Sequence, residues 1–170
     1  IAELDVAARR PSARQSFGLD PERPTLLVSG GSQGAQSINA ATEGARAAIL
    51  AAGIQILHVL GPKNITDAHG PVTDASTGAT YVPLGYVAAM EDAYAAADLM
   101  VGRAGAGTVM ETATVGLPVI FVPFPHGNGE QARNAAFLVE GGAGLLIDNA
   151  DFDAERMRSE VPRLFTDPQA

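Results

Sequence analysis

Residues 98–134 read DLMVGRAGAGTVMETATVGLPVIFVPFPHGNGEQARN, and the order of apolar runs in this stretch decides the fold. Leu99 to Val101 and Val119 to Val122 are short and unbroken, as strands of a parallel sheet covered on both faces should be. Small residues form a turn after the first run, about Gly105 to Val115 has a helical pattern, and another helix opens near Glu130. At about 100° per residue, Ala106, Val109, Met110 and Ala113 make one apolar stripe. The sheet should take that stripe and leave Thr108 and Glu111 facing the opposite way.

Glycine and alanine crowd the first turn, where a ligand can approach the backbone closely. The helix that follows starts with exposed amides carrying partial positive charge, and Arg103 stands just before the turn. An anion such as a diphosphate has two reasons to bind there. One turn further in, an ionised Glu111 can accept hydrogen bonds from two neighbouring hydroxyls, which is what a ribose presents. Phosphate followed by ribose describes a nucleotide.

Outward from this stretch, the same alternation repeats. Ile1 to Arg10 is a short helical pattern with Ile1, Leu4 and Ala8 on one side, ended by Pro11 and a polar stretch to Glu22. Thr25 to Ser29 is a strand, Gly30 to Ala35 a tight turn, and Ile38, Ala41, Ala45, Ile49 and Ala52 mark the apolar face of a helix. Ile54 to Leu60 is the next strand, and 61–78 is a loop of Pro, Gly, Asp, Thr and Ser without a period. Thr80 to Val82 is a short strand, and Tyr86 to Ala88 lead into a helix with Met90, Ala93, Tyr94 and Ala97 inward. The helix from Glu130 runs to about Val139 and stops at Gly141-Gly142; a strand Gly144 to Ile147 and a helix from about Asp153 follow. Alternating strands and helices imply an α/β fold, a Rossmann-like doubly wound parallel sheet with ligands at the carboxyl ends of its strands.

Composition narrows the function. A formal charge of -8 over 170 residues argues against a nucleic-acid surface, which needs clustered Lys and Arg. The absence of cysteine excludes disulfides and thiolate metal sites and makes a reducing cytoplasm the default expectation. No apolar run reaches the roughly 18 residues of a membrane span, and the alanine-rich, lysine-poor composition suits a high-GC bacterium. The chain begins without Met, which reads as a start inside a longer protein.

Several candidates have a plain and a functional reading. Gly30 to Ala35 matches neither the P-loop nor the G-x-G-x-x-G dinucleotide pattern. It is either a tight connection or a place from which Ser32 and the following amides of Gln33 and Gly34 reach an anion across a cleft. Glu130 and Gln131 either cap a helix or recognise sugar hydroxyls, and Asn134, one turn on, joins them or caps. His126 is a loop histidine of structural or solvated type, and His58, His69 and His126 are too scattered to form a metal site. Asp151 and Asp153 spell the D-x-D of metal-dependent sugar transferases, but they precede a helix as N-terminal caps do.

Gly30 to Ala35, then Arg103-Ala104-Gly105-Ala106-Gly107-Thr108 with Glu111, then Pro123 to His126 and Asn128 to Gln131 with Asn134-Ala135 together resemble the carboxyl-terminal half of the MurG family, in an actinobacterial form. That family transfers N-acetylglucosamine (GlcNAc) from UDP-GlcNAc to lipid I, giving lipid II for peptidoglycan. The resemblance implies the C-terminal half of a GT-B glycosyltransferase, with residues 1–170 as the UDP-GlcNAc-binding domain. It implies that Ser32 and Arg103 contact the diphosphate and Glu111 the ribose, that Thr108 lines the diphosphate or sugar pocket, and that Gln33, Gly34 and Gly105 join them in binding the donor. Tyr86 and Val87 would flank the uracil, Met90 would floor its pocket, and Glu130 and Gln131 would take the GlcNAc hydroxyls. Glu130 stands where the family commonly has the first glutamine of a pair, and Ala104 where it has a serine.

The resemblance further implies inverting, metal-independent hexosyl transfer with no cofactor. The lipid acceptor, the catalytic base and the membrane-facing patch would lie in an N-terminal domain absent from this sequence. The isolated domain would then be inactive alone, and the whole protein peripheral on the cytoplasmic face of the plasma membrane. The competing readings are a donor-binding subunit of a split glycosyltransferase, a related nucleotide-sugar epimerase, and a nicotinamide-binding domain.

Overall fold

The computed structural model describes residues 5–30, 35–125 and 129–166. Its elements are α1 (Val6–Ser16), β1 (Thr25–Ser29), α2 (Gln36–Ala51), β2 (Gln55–Val59), β3 (Val72–Thr73), β4 (Thr80–Leu84), α3 (Met90–Ala96), β5 (Leu99–Gly102), α4 (Ala106–Val115), β6 (Val119–Phe121), α5 (Glu130–Glu140), β7 (Gly144–Leu146), a 3-10 turn (Asn149–Asp151) and α6 (Ala154–Thr166). One sheet runs in the order β3-β4-β2-β1-β5-β6-β7, with every pair parallel except β3 with β4.

Both faces of the sheet are covered, which is why β1, β5 and β6 carry unbroken apolar runs, while the buried Gln55 and His58 of β2 are each hydrogen-bonded. Leu26, Val28, Val101, Ile120 and Val122 pack with Ile38, Ala45 and Ile49 of α2 and Met157 and Val161 of α6. Leu27, Leu57, Met100, Val119 and Phe121 point the other way, against Ala93 and Tyr94 of α3, Val109 of α4 and Ala135 of α5. The order reverses between β1 and β5: the chain first builds outward to β4 and then crosses back to lay β5 on the free side of β1. In such a sheet the crevice outside the carboxyl ends of those two strands is where ligands bind.

Four expectations need correction. The first helix spans Val6–Ser16 and runs through Pro11, and Ala8 is exposed. Asp5 caps it by accepting from the Ala8 amide at 3.2 Å, while Arg9, Arg10 and Arg14 tie it to α3 and Asp98. These tertiary bonds offset the backbone bond that a proline forfeits. Ala52 is exposed because α2 ends at Ala51 and the chain turns at Gly53, φ 83°. The loop 61–78 contains β3, two exposed residues paired antiparallel with Tyr81 and Thr80, too short to show a period.

The fourth correction concerns α4. Met110 is 60% exposed, whereas Thr112 is fully buried beside Val109. The Thr112 hydroxyl accommodates burial by donating to the Thr108 and Val109 carbonyls at 2.8 and 3.2 Å, so its methyl group can meet the core. The helix is therefore turned by roughly a quarter turn from the expected stripe. Thr108 and Glu111 end up half-buried on its flank instead of facing solvent.

Candidate functional site

The turn leaving β5 is built on Gly102. It pairs with Ser29 across the reversal point, and a Cβ there would come within 2.7 Å of the Ser29 carbonyl oxygen and 2.8 Å of Met100 Cε. Only glycine lets the two strand ends approach this closely. Gly105 then starts α4 with no side-chain cap, and a Cβ on it would meet nothing within 4 Å. Across the crevice α2 starts at Ala35, also without a side-chain cap. Two helix N-termini whose amides no side chain caps among the described residues thus stand on either side of the point where the strand order reverses, the arrangement that favours an anion.

Arg103 lies between them. Its NH1 donates to the Val122 and Pro123 carbonyls at 3.2 and 3.1 Å and to Asn149 Oδ1 at 2.8 Å; its NH2 donates to Ser37 Oγ at 3.3 Å. The guanidinium also sits 5.6 Å from the centre of the Phe124 ring. Burial lowers its pKa from the ordinary arginine value, but an arginine stays charged in proteins. Arg103 is therefore a fixed positive charge in the crevice and not a swinging arm.

Glu111 lies one turn into α4, with its carboxylate folded back along the helix. A Cβ on Gly107 would be 3.9 Å from Glu111 Oε1. On its other side is Tyr94 of α3, whose hydroxyl is pushed up to about 12 by burial first and then by the charge and hydrogen bonding of Glu111. The quarter-turn rotation of α4 is what brings Glu111 to this seam between α3 and α4. Met90 and Val87 belong to the same apolar cluster as Tyr94, while Tyr86 is 66% exposed on the loop before α3.

α5 fixes the turn from the opposite flank. Gln131 Oε1 accepts from the Phe124 amide at 2.7 Å and the Ala104 amide at 3.3 Å, and Asn134 Nδ2 donates to the Ala104 carbonyl at 3.1 Å. Both polar groups of the Ala104 peptide are thereby held, and Gln131 keeps only its amide N–H groups for a ligand. Asn134 lies inside α5 and caps no helix; its side chain holds the Ala104 carbonyl across the turn. Glu130 is exposed at the first position of α5.

The structure thus gathers Arg103, Gly105, Thr108, Glu111 and Gln131 around one helix start, with Val87 and Met90 reached through Tyr94. Ser32, Gln33 and Gly34, with His126 and Asn128, lie outside the described residues. Sequence reasoning missed Ser37, Tyr94 and Asn149 as members of the site. Position after the carboxyl end of a parallel strand was the available signal for Asn149.

Other features have structural work. His58 is buried, sharing hydrogen bonds with the Tyr81 hydroxyl at 2.7 Å and Asn39 Oδ1 at 2.9 Å. Asp153 Oδ1 accepts from the Arg156 amide at 2.8 Å, capping α6. Among the described residues no group of three His, Asp or Glu is placed to hold a metal, and no helix is long and apolar enough to cross a membrane. A cavity of about 560 Å³ opens at the opposite, amino edge of the sheet beside Arg10, Arg14, Asp98, Leu99 and Phe165. No residue of the crevice lines it.

The model of the glycosyltransferase family 28 C-terminal domain matches residues 25–170. The chain belongs to that family. Among relatives of this family 28 domain, one from Cutibacterium acnes is 63% identical over 158 residues, 93% of this chain and 42% of the relative. One from Streptomyces avermitilis is 50% identical over 169 residues, 99% of this chain and 46% of the relative. Both carry the name UDP-N-acetylglucosamine--N-acetylmuramyl-(pentapeptide) pyrophosphoryl-undecaprenol N-acetylglucosamine transferase. The crystal structure of MurG from Acinetobacter baumannii superposes with a TM-score of 0.68 at 29% identity, over 92% of this chain and 44% of that one. The family 28 domain therefore has the doubly wound fold expected of a GT-B half, and it spans about half the length of the curated relatives it matches.

Proposed function

We propose that the crevice between β1 and β5 binds UDP-GlcNAc, and that the chain is the donor-binding half of a transferase that moves GlcNAc onto lipid I. The observation that carries this reading is the pair of uncapped helix starts with Arg103 between them and Glu111 one turn into α4. The names of the relatives supply the sugar and the acceptor. The diphosphate lies on the amides at the start of α4, with Ser32, Gln33 and Gly34 as further donors to it. Glu111 accepts from the two ribose hydroxyls, Tyr86, Val87 and Met90 take the uracil, and Thr108 and Gly105 border the phosphates. Glu130 offers acceptors and Gln131 its amide donors to the GlcNAc hydroxyls.

In the reaction, the acceptor hydroxyl attacks the anomeric carbon from the side opposite the diphosphate. A carbon–oxygen bond forms there as the bond to the diphosphate breaks, which inverts the centre. The acceptor proton goes to a base outside this chain, and the growing charge on UDP meets the helix dipoles and Arg103, already aimed at it. Lipid I binds through the remaining half of the protein, which rests on the cytoplasmic face of the membrane.

Glu111→Ala is expected to weaken UDP binding by roughly 1.5 to 3 kcal/mol, the range for hydrogen bonds to a charged group. Titration calorimetry should show that as a loss of about tenfold to a hundredfold. Unchanged UDP affinity in this variant would remove Glu111 from the ribose site.

A further inference from the structure

We propose that Ser37 and Asn149 are positioning residues that set the plane of the Arg103 guanidinium for a diphosphate; the proposal rests on the donor-site reading above. The Ser37 hydroxyl donates to Asn149 Oδ1 at 2.7 Å, Arg103 NH1 donates to the same oxygen at 2.8 Å, and Arg103 NH2 donates to Ser37 Oγ at 3.3 Å. These three bonds close a ring. Ser37 can complete it because a hydroxyl donates once and still accepts.

The ring ties together three separate places at the mouth of the crevice. Ser37 is the second residue of α2, Arg103 follows β5, and Asn149 opens the 3-10 turn after β7. Without the ring, the guanidinium keeps the Val122 and Pro123 carbonyls, and both are bonded by NH1 alone. One nitrogen is a pivot, and the Phe124 ring, centred 5.6 Å away, is too distant to hold the planar group against turning about it. A second anchored nitrogen fixes the plane, and a fixed plane is what lets Arg103 aim its remaining N–H, the second one on NH2, at a phosphate oxygen in a set geometry. Nε is buried and has no hydrogen-bond partner among the described residues, so the bond to Ser37 is the one that anchors the guanidinium at a nitrogen other than NH1 among those residues.

This role is testable because it acts through another residue. Binding of UDP and of uridine is measured for the wild-type chain, Asn149→Ala, Ser37→Ala, Ser37→Thr, Arg103→Ala and the double variant Asn149→Ala with Arg103→Ala. Asn149→Ala and Ser37→Ala should each weaken UDP binding about fivefold and leave uridine binding unchanged. Ser37→Thr, which keeps the hydroxyl, should restore UDP affinity. In the Arg103→Ala background, Asn149→Ala should cause no further loss, as expected when two residues act through one contact.

Wild-type UDP affinity in both alanine variants would overturn the proposal. So would an equal loss for uridine, or a full additional loss in the double variant. If the wild-type chain bound uridine but gained nothing from the diphosphate, the donor-site reading itself would fall. Ser37→Ala keeps the test open if Asn149→Ala does not fold.

Discussion

Asp98→Ala should be the most destabilising single substitution considered for this chain, at a cost of about 3 kcal/mol. The carboxylate just before β5 receives Arg14 NH2 at 2.8 Å and the Thr25 amide at 2.9 Å on Oδ2, and Arg10 NH1 lies 3.3 Å from Oδ1. Arg14 also donates to the Ala96 and Pro21 carbonyls, and its side chain is only 5% exposed. Burial lowers the Arg14 pKa, and Asp98 is the foremost influence opposing that. Removing the carboxylate therefore leaves a buried cation without its counter-charge. The lower end of the range for a broken buried pair applies because the Asp98 side chain is 32% exposed and partly screened.

A loss of that size should lower the melting temperature by roughly 6 to 12 °C in a domain of this length. Asp98→Asn, which keeps an acceptor for the Thr25 amide, should fall between. Donor affinity below the transition should not change, since Asp98 is at the amino edge of the sheet. An Asp98→Ala chain that melted with the wild type would show that α1 is held by its other contacts.

Acidification should destabilise the chain well before its carboxylates titrate. Burial, followed by the charges of His69 and Arg46, lowers the His58 pKa from 6.5 to about 3. As pH falls below 6.5 the unfolded chain takes up a proton at His58 that the folded chain refuses. The stability conferred by neutral His58 is thus complete above the unfolded value and is lost progressively down to the folded one. From pH 8 the loss should be about 2 kcal/mol at pH 5 and about 3 kcal/mol at pH 4. Glu160, held low by its bond to Arg163, adds to the decline only in the carboxylate range. Urea unfolding at a series of pH values measures the slope. His58→Gln, which can still bond Asn39 and Tyr81, should flatten it between pH 6.5 and 5, and an unchanged slope in that variant would assign the proton to another group.

The sheet was legible in the sequence because β1, β5 and β6 are buried on both faces, so their apolar runs are unbroken and cannot pass for half-exposed strands. The small-residue turn from Gly102 to Gly105 stands at the reversal point between β1 and β5, where the alternation of strands and helices leads a ligand crevice to be expected. What the sequence concealed depends on tertiary partners. α1 crosses Pro11 because Arg10 and Arg14 find carbonyls and Asp98 more than 80 residues away. Hydropathy alone puts Met110 in the apolar stripe and passes over Thr112, since a hydroxyl satisfied within its own helix is invisible to a pattern of apolar residues. The side-chain hydrogen-bond partners of Arg103, Ser37 and Asn149, lie 66 residues before it and 46 after it, and no local motif joins them.

The most direct test of the account is a crystal structure of the chain with UDP-GlcNAc bound. The diphosphate should rest on the amides that open α4, beside Arg103, with both ribose hydroxyls bonded to Glu111. A donor seated in the cavity at the amino edge of the sheet, or one whose ribose makes no contact with Glu111, would contradict it.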